Sequence, residues 1–138
     1  MQRKGSYVLL LHLPQSQHIT IGKKGRVHFT RGYYAYVGSA LNGLDRRIQR
    51  HKSLKKKMHW HIDYLLDHAQ LQEVYVKENS DKEECNIARG FAQQLPSIKG
   101  FGCSDCDCSS HLFYGEQDQL LTLINKVEMR KMGDQSLV

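Results

Sequence analysis

Gly32–His51, GYYAYVGSALNGLDRRIQRH, passes from a tyrosine-rich run through a Gly/Ser/Asn turn into a basic helix. Tyr33, Tyr34, Tyr36 and Val37 favour extended, pleated backbone. Gly38 and Ser39 are expected to end that strand, and Asn42-Gly43 allows another tight bend. From Leu44 the apolar period becomes helical, with Leu41, Leu44 and Ile48 on one side. At about 100° per residue, Arg46 and Arg50 point away from that side into solvent. Arg47 lies on the border of the apolar stripe, and His51 close to its centre. One inward base alone would more often be a snorkelling stem or a satisfied core polar group. Here a tyrosine-rich strand end feeds into two of them, and a phosphate site is the better reading.

Around this stretch the chain reads as one domain. Its 138 residues can bury a real core but not two comfortable ones. With 40% apolar and 25% charged residues it belongs with globular proteins, not disordered ones. No apolar run approaches the ~20 residues of a membrane span. The start, MQRKGSYVLLLHLP, lacks a small-residue cleavage site and reads as a strand, so a cytoplasmic location is the default. The net charge of +6 is concentrated in Arg46, Arg47, Arg50, Lys52, Lys55, Lys56 and Lys57. Such a run is often only a solvated face, but it also fits the footprint of a nucleic-acid binder, holding phosphates without sequence specificity.

Taken in order, Tyr7–Leu13 (YVLLLHL) is apolar on both faces and predicts an interior strand ended by Pro14. Ile19–Gly22 and Val27–Phe29 read as a hairpin around Gly22-Lys23-Lys24-Gly25. Met58–Leu66 reads as a helix apolar around much of its circumference. His59 and His61 would then point about 200° apart and serve separate hydrogen-bonding roles. Val74–Val76 is a short strand. Ser80 and Glu83 fit a capping box, whereas Glu84 falls on the apolar face set by Ile87, Ala88, Phe91 and Leu95. A carboxylate there must be paired or bind a cation, so it pairs with Arg47 or another inward base, or ligates a metal. Gly115–Gly133 reads as an amphipathic helix able to cover a sheet face or meet a second copy of the chain as a homodimer.

Cys103, Cys106, Cys108 and His111 offer four zinc-type ligands in one short loop. Four ligands from so short a segment would be cramped around one ion. Reduced thiols in a cytosolic setting are the preferred reading, with zinc, and after it a redox or disulfide role, as the alternatives.

The ordered set of motifs resembles the GIY-YIG nuclease superfamily. Gly5-Ser6-Tyr7 matches the first motif, with Ser6 in place of its Ile, and Tyr36-Val37-Gly38 matches the second. Arg47-Ile48 and His51 resemble the family's basic helix, with one extra residue near Gly43, and Glu84–Arg89 resembles its later Glu-bearing helix. Within the superfamily, GYYAYVGSA, HWHIDYLL and GFGCSDCDCSSHLF are similar to a prokaryotic subgroup labelled Uri-type endonucleases. The resemblance covers about residues 5–114 and leaves 115–138 as an added helix and tail on the same domain. It implies an α+β fold, a small central sheet of about three to five strands flanked by helices. It also implies metal-dependent hydrolysis of phosphodiester bonds, in DNA more than in RNA. Carried over, Tyr7 or Tyr36 positions or deprotonates water, Arg47 holds the scissile phosphate, His51 assists, and Glu84 ligates Mg²⁺ or Mn²⁺. The Cys-rich segment stands where relatives often carry a late Asn, and no separate DNA-recognition segment is evident. Cleavage is then expected to be weak, structure-selective or partner-dependent. The alternatives are a non-catalytic nucleic-acid-binding module and a small zinc-binding interaction protein.

Overall fold

The computed structural model of the chain describes residues 4–40, 43–53, 56–78, 83–102 and 110–132. Its strands are β1 (Gly5–Leu13), β2 (Gln17–Ile21), β3 (Gly25–Phe29), β4 (Gly32–Ala40), β5 (Gln70–Glu78), β6 (Leu112–Gly115) and β7 (Arg130–Lys131). Its helices are α1 (Leu44–Lys52), α2 (His61–Leu66), α3 (Glu84–Ala92) and α4 (Gln117–Lys126). The fold is α+β: an antiparallel five-stranded sheet ordered β6-β4-β1-β5-β7, and a separate β2–β3 hairpin. No helix among the described residues is long and apolar enough to cross a membrane.

The all-apolar run in β1 explains its place at the centre. Successive side chains of a strand alternate between faces, and here each face meets its own apolar layer. Tyr7, Leu9, Leu11 and Leu13 join Leu44 and Ile48 of α1, Ile62 and Leu65 of α2, and Ile19, Ile21 and Phe29 of the hairpin. Val8 and Leu10 join Ile87, Ala88 and Phe91 of α3 and Leu120 and Ile124 of α4. Burying each such side chain contributes about 1.5–3 kcal/mol, so both faces of β1 are energetically committed.

Gly38 does not end β4, contrary to expectation; the strand runs on to Ala40. Tyr7 stands opposite Gly38 in the β1–β4 register, and its ring covers the glycine. A Cβ at Gly38 would lie 2.3 Å from Tyr7 Cζ. The second motif's glycine is thus the seat of the first motif's tyrosine. Gly5 has a similar reason: a Cβ there would fall 2.1 Å from the Lys77 carbonyl oxygen.

Other expectations need correction. Met58 and His59 precede α2, because Asp63 takes the His59 and Trp60 amides at 2.9 Å each and starts the helix later. Glu83 is the N-cap residue of α3, with no side-chain cap bond, instead of N3 of a capping box; Ser80 lies outside the described residues. The expected C-terminal helix stops at Lys126. Glu128 adopts φ 60°, and Arg130–Lys131 then pairs with β5 as β7. Gly115 ends β6, a strand the sequence reading missed. Leu120 and Ile124 spend the α4 stripe inside this domain.

Gly38→Ala is expected to cost at least about 2 kcal/mol through overpacking against Tyr7, read as a lowered urea midpoint. Part of the loss should return in the Gly38→Ala/Tyr7→Leu double variant. An unchanged midpoint in Gly38→Ala would contradict this packing.

Candidate active site

At the Gly38 end of the sheet the Tyr7 hydroxyl lies 2.7 Å from Nε2 of His51, in the last turn of α1. Both groups are buried, Tyr7 at 1% exposure and His51 at 3%. Nδ1 of His51 is buried with no hydrogen-bond partner among the described residues. The contact admits two arrangements: Tyr7 donates to an unprotonated Nε2, or a protonated Nε2 donates to the phenol oxygen. Burial pushes the Tyr7 hydroxyl up to about 12, opposed by the charge and hydrogen bonding of Arg47 and reinforced by Glu84 and Asp63. Burial pushes His51 down to about 3; Asp63 opposes this, and the cations Lys56, Arg47 and Arg50 add to it. Both side chains are therefore neutral around pH 7.

Tyr36 sits beside this pair, its ring centroid 6.5 Å from that of Tyr7 and 6.4 Å from that of His51. Burial first, then Tyr7 and Glu84, hold its hydroxyl well above the ordinary phenol range. Arg47, half-buried one turn before His51, donates from Nη1 to the Ser39 carbonyl at 2.9 Å. Its guanidinium carbon lies 4.4 Å from the Trp60 ring centre.

Glu84 enters from the first turn of α3, its side chain 16% exposed, with Oε2 3.9 Å from Nδ1 of His111. That nitrogen also lies 3.1 Å from the Val37 carbonyl. Glu84 thus lies beside an inward base, His111, at a distance that makes an ion pair only when that imidazole is protonated. Tyr7, Tyr36, Arg47 and His51 come together from three elements, and Glu84 of α3 acts on Tyr7 and Tyr36 through its charge. Arg47 and Glu84 are the more exposed members.

The surrounding basic residues divide. Arg46, Lys52 and Lys57 are exposed, as a phosphate-contacting face requires. Arg50, expected to point into solvent, instead binds Asp63 through two bonds of 2.8 and 3.0 Å and stacks 4.3 Å from the Trp60 ring centre. Lys56 also turns inward, donating to the His51 carbonyl at 2.9 Å at the C-terminal end of α1. Lys55, Cys103, Cys106 and Cys108 lie outside the described residues. His111, the remaining zinc candidate, is 2% exposed and turned to Val37 and Glu84. His61, as expected, has its own hydrogen bond, accepting the Gly102 amide at 2.9 Å. Sequence reasoning missed Asp63. Its signal was the one that exposed Glu84: a carboxylate between core residues, here Ile62 and Leu65.

Residues 6–133 match the family described as a domain of unknown function, DUF123. The chain belongs to the DUF123 family. The match runs through α4 and β7, so the C-terminal segment is part of the DUF123 domain. No curated protein and no solved structure matches the chain.

The His51 environment has a pH signature. Its folded-state pKa of about 3 lies below the ordinary 6.5. Between those values the unfolded chain binds a proton that the native state does not, so stability falls as pH drops. The slope for this group is about 1.4 kcal/mol per pH unit. Relative to His51→Gln, the wild-type domain is expected to lose about 2 kcal/mol between pH 6.5 and 5, measured by urea denaturation. Parallel stability curves would contradict a buried, neutral His51.

Proposed function

We propose that this DUF123 domain is a divalent-metal-dependent endonuclease of GIY-YIG type, similar to the Uri-type subgroup, that hydrolyses phosphodiester bonds in DNA. The observation that carries this reading is the Tyr7–His51 contact at 2.7 Å, with the charges of Arg47 and Glu84 both acting on the same phenol. A phenol that titrates near 12 is not a standing phenolate at neutral pH. It serves as a base only when a neighbour accepts its proton, and His51 Nε2, when unprotonated, is placed to do so. The negative charge gathering on the phosphate must offset the burial and the neighbouring cations that hold this imidazole neutral.

As a water oxygen bonds to phosphorus, its proton passes to the Tyr7 oxygen and the Tyr7 proton passes to His51 Nε2. The bond from phosphorus to the leaving sugar oxygen breaks, and that oxygen takes a proton from solvent. Arg47 balances the charge that gathers on the phosphate, a task suited to a planar guanidinium. Tyr36, packed beside Tyr7, orients the water. The exposed Arg46, Lys52 and Lys57 attract the backbone on either side.

Glu84 fits a hard cation: it is a carboxylate with partial solvent access, and Mg²⁺ commonly keeps several waters beside one or two carboxylates. Mg²⁺ or Mn²⁺ held there supplies Lewis-acid stabilisation of the developing charge.

Mg²⁺- or Mn²⁺-dependent cleavage should appear when wild type is tested on duplex, single-stranded, branched and RNA substrates. Tyr7→Phe should slow it roughly 100- to 10,000-fold, the range of general acid–base catalysis. Glu84→Ala and Arg47→Ala should abolish it while salt-sensitive DNA binding survives. Binding without cutting by every protein would instead support the non-catalytic module, and cutting that persists in all three variants would overturn the site.

A further inference from the structure

Asp63 is a carboxylate with no exposed surface. It accepts from Nη1 and Nη2 of Arg50 at 2.8 and 3.0 Å and from the amides of His59 and Trp60 at 2.9 Å each. The two amide bonds fix the backbone that carries the Trp60 indole. The two guanidinium bonds fix Arg50, which packs 4.3 Å from the centre of that indole. Arg47 packs against the same ring at 4.4 Å, and the Ser39 carbonyl holds its Nη1 at 2.9 Å.

We propose that Asp63 is a positioning residue that sets the guanidinium of Arg47 through Arg50 and Trp60. This rests on the reading of Arg47 as the phosphate ligand. A helix cap needs only the oxygen that takes the two amides, yet Asp63 commits its second oxygen to Arg50. A tie between α1 and α2 needs only the ion pair, yet an indole lies against both guanidiniums. The carbonyl and the indole are uncharged, so they orient Arg47 without neutralising it. Arg50 bears the contact with the buried carboxylate, and the charge of Arg47 stays directed to an anion. Holding a long, flexible side chain in place before substrate arrives lowers the ordering needed during reaction.

Trp60 is the chain's one tryptophan, so its emission reports on the surroundings of this ring, the two guanidiniums together with His59 and His51. Asp63→Asn, Trp60→Leu and Trp60→Phe would be compared with wild type for kcat, KM and melting. Trp60 emission would be followed on adding a DNA duplex in EDTA, with binding read separately by anisotropy of the labelled duplex. Asp63→Asn and Trp60→Leu should lower kcat roughly 10- to 100-fold with KM within about threefold. Trp60→Phe should restore most of kcat by keeping an aromatic face. The emission change on duplex binding should shrink in Asp63→Asn and in Arg47→Ala.

Unchanged kcat in folded Asp63→Asn, a change confined to KM, or Trp60→Phe as poor as Trp60→Leu would overturn the proposal. Should Asp63→Asn fail to fold, the Trp60 pair decides. If wild type cuts nothing, the nuclease reading falls and the emission arm decides alone. A response lost in Asp63→Asn and Arg47→Ala then supports the positioning role. A response unaltered by Asp63→Asn, or no duplex binding by wild type, overturns it.

Discussion

A phenol laid over a glycine and hydrogen-bonded to a buried imidazole fixes the geometry of this end of the molecule. Tyr7 covers Gly38, leaving no room for a Cβ there, and its hydroxyl reaches His51 at 2.7 Å. That bond ties the central strand to the last turn of α1, alongside the Leu44 and Ile48 contacts below it. The same burial holds both groups in their neutral forms, Tyr7 as the phenol and His51 as the uncharged imidazole, which avoids the large desolvation cost of a buried ion. Nδ1 of His51, without a hydrogen-bond partner among the described residues, remains a local cost within this arrangement.

The charges are arranged around that neutral pair. Arg47 and Arg50 come from the same helix and lie against the same indole, but only Arg50 bonds Asp63. One arginine thus joins the scaffold, and the other faces the tyrosines. Glu84 arrives from the opposite layer of the sheet, so the negative and positive sides of the site are set by different helices. A centre built this way depends on the sheet between the layers, and therefore on the two-faced burial of β1.

Much of this was legible in the sequence. The run YVLLLHL announced an interior strand, and Ile48 with His51 announced which side of α1 meets the sheet. Glu84 stood out because a carboxylate among Ile87, Ala88 and Phe91 needs a partner. What local pattern could not give was close approach across strands. Gly38 reads as a strand breaker until Tyr7 is known to lie over it. Arg50 reads as solvated because helical angle alone ignores Asp63, which lies on another helix. Arg130–Lys131 reads as helix because a short edge strand is defined by its partner β5, not by its own period.

The assignment of Tyr7, Tyr36, Arg47, His51 and Glu84 to one hydrolytic centre is tested most directly by anomalous diffraction from crystals soaked in Mn²⁺. The expected result is a manganese peak at the Glu84 carboxylate, on the side of Tyr7 and Tyr36, that disappears in Glu84→Gln crystals. A peak that survives that substitution, or manganese bound elsewhere with none at Glu84, would contradict the assignment.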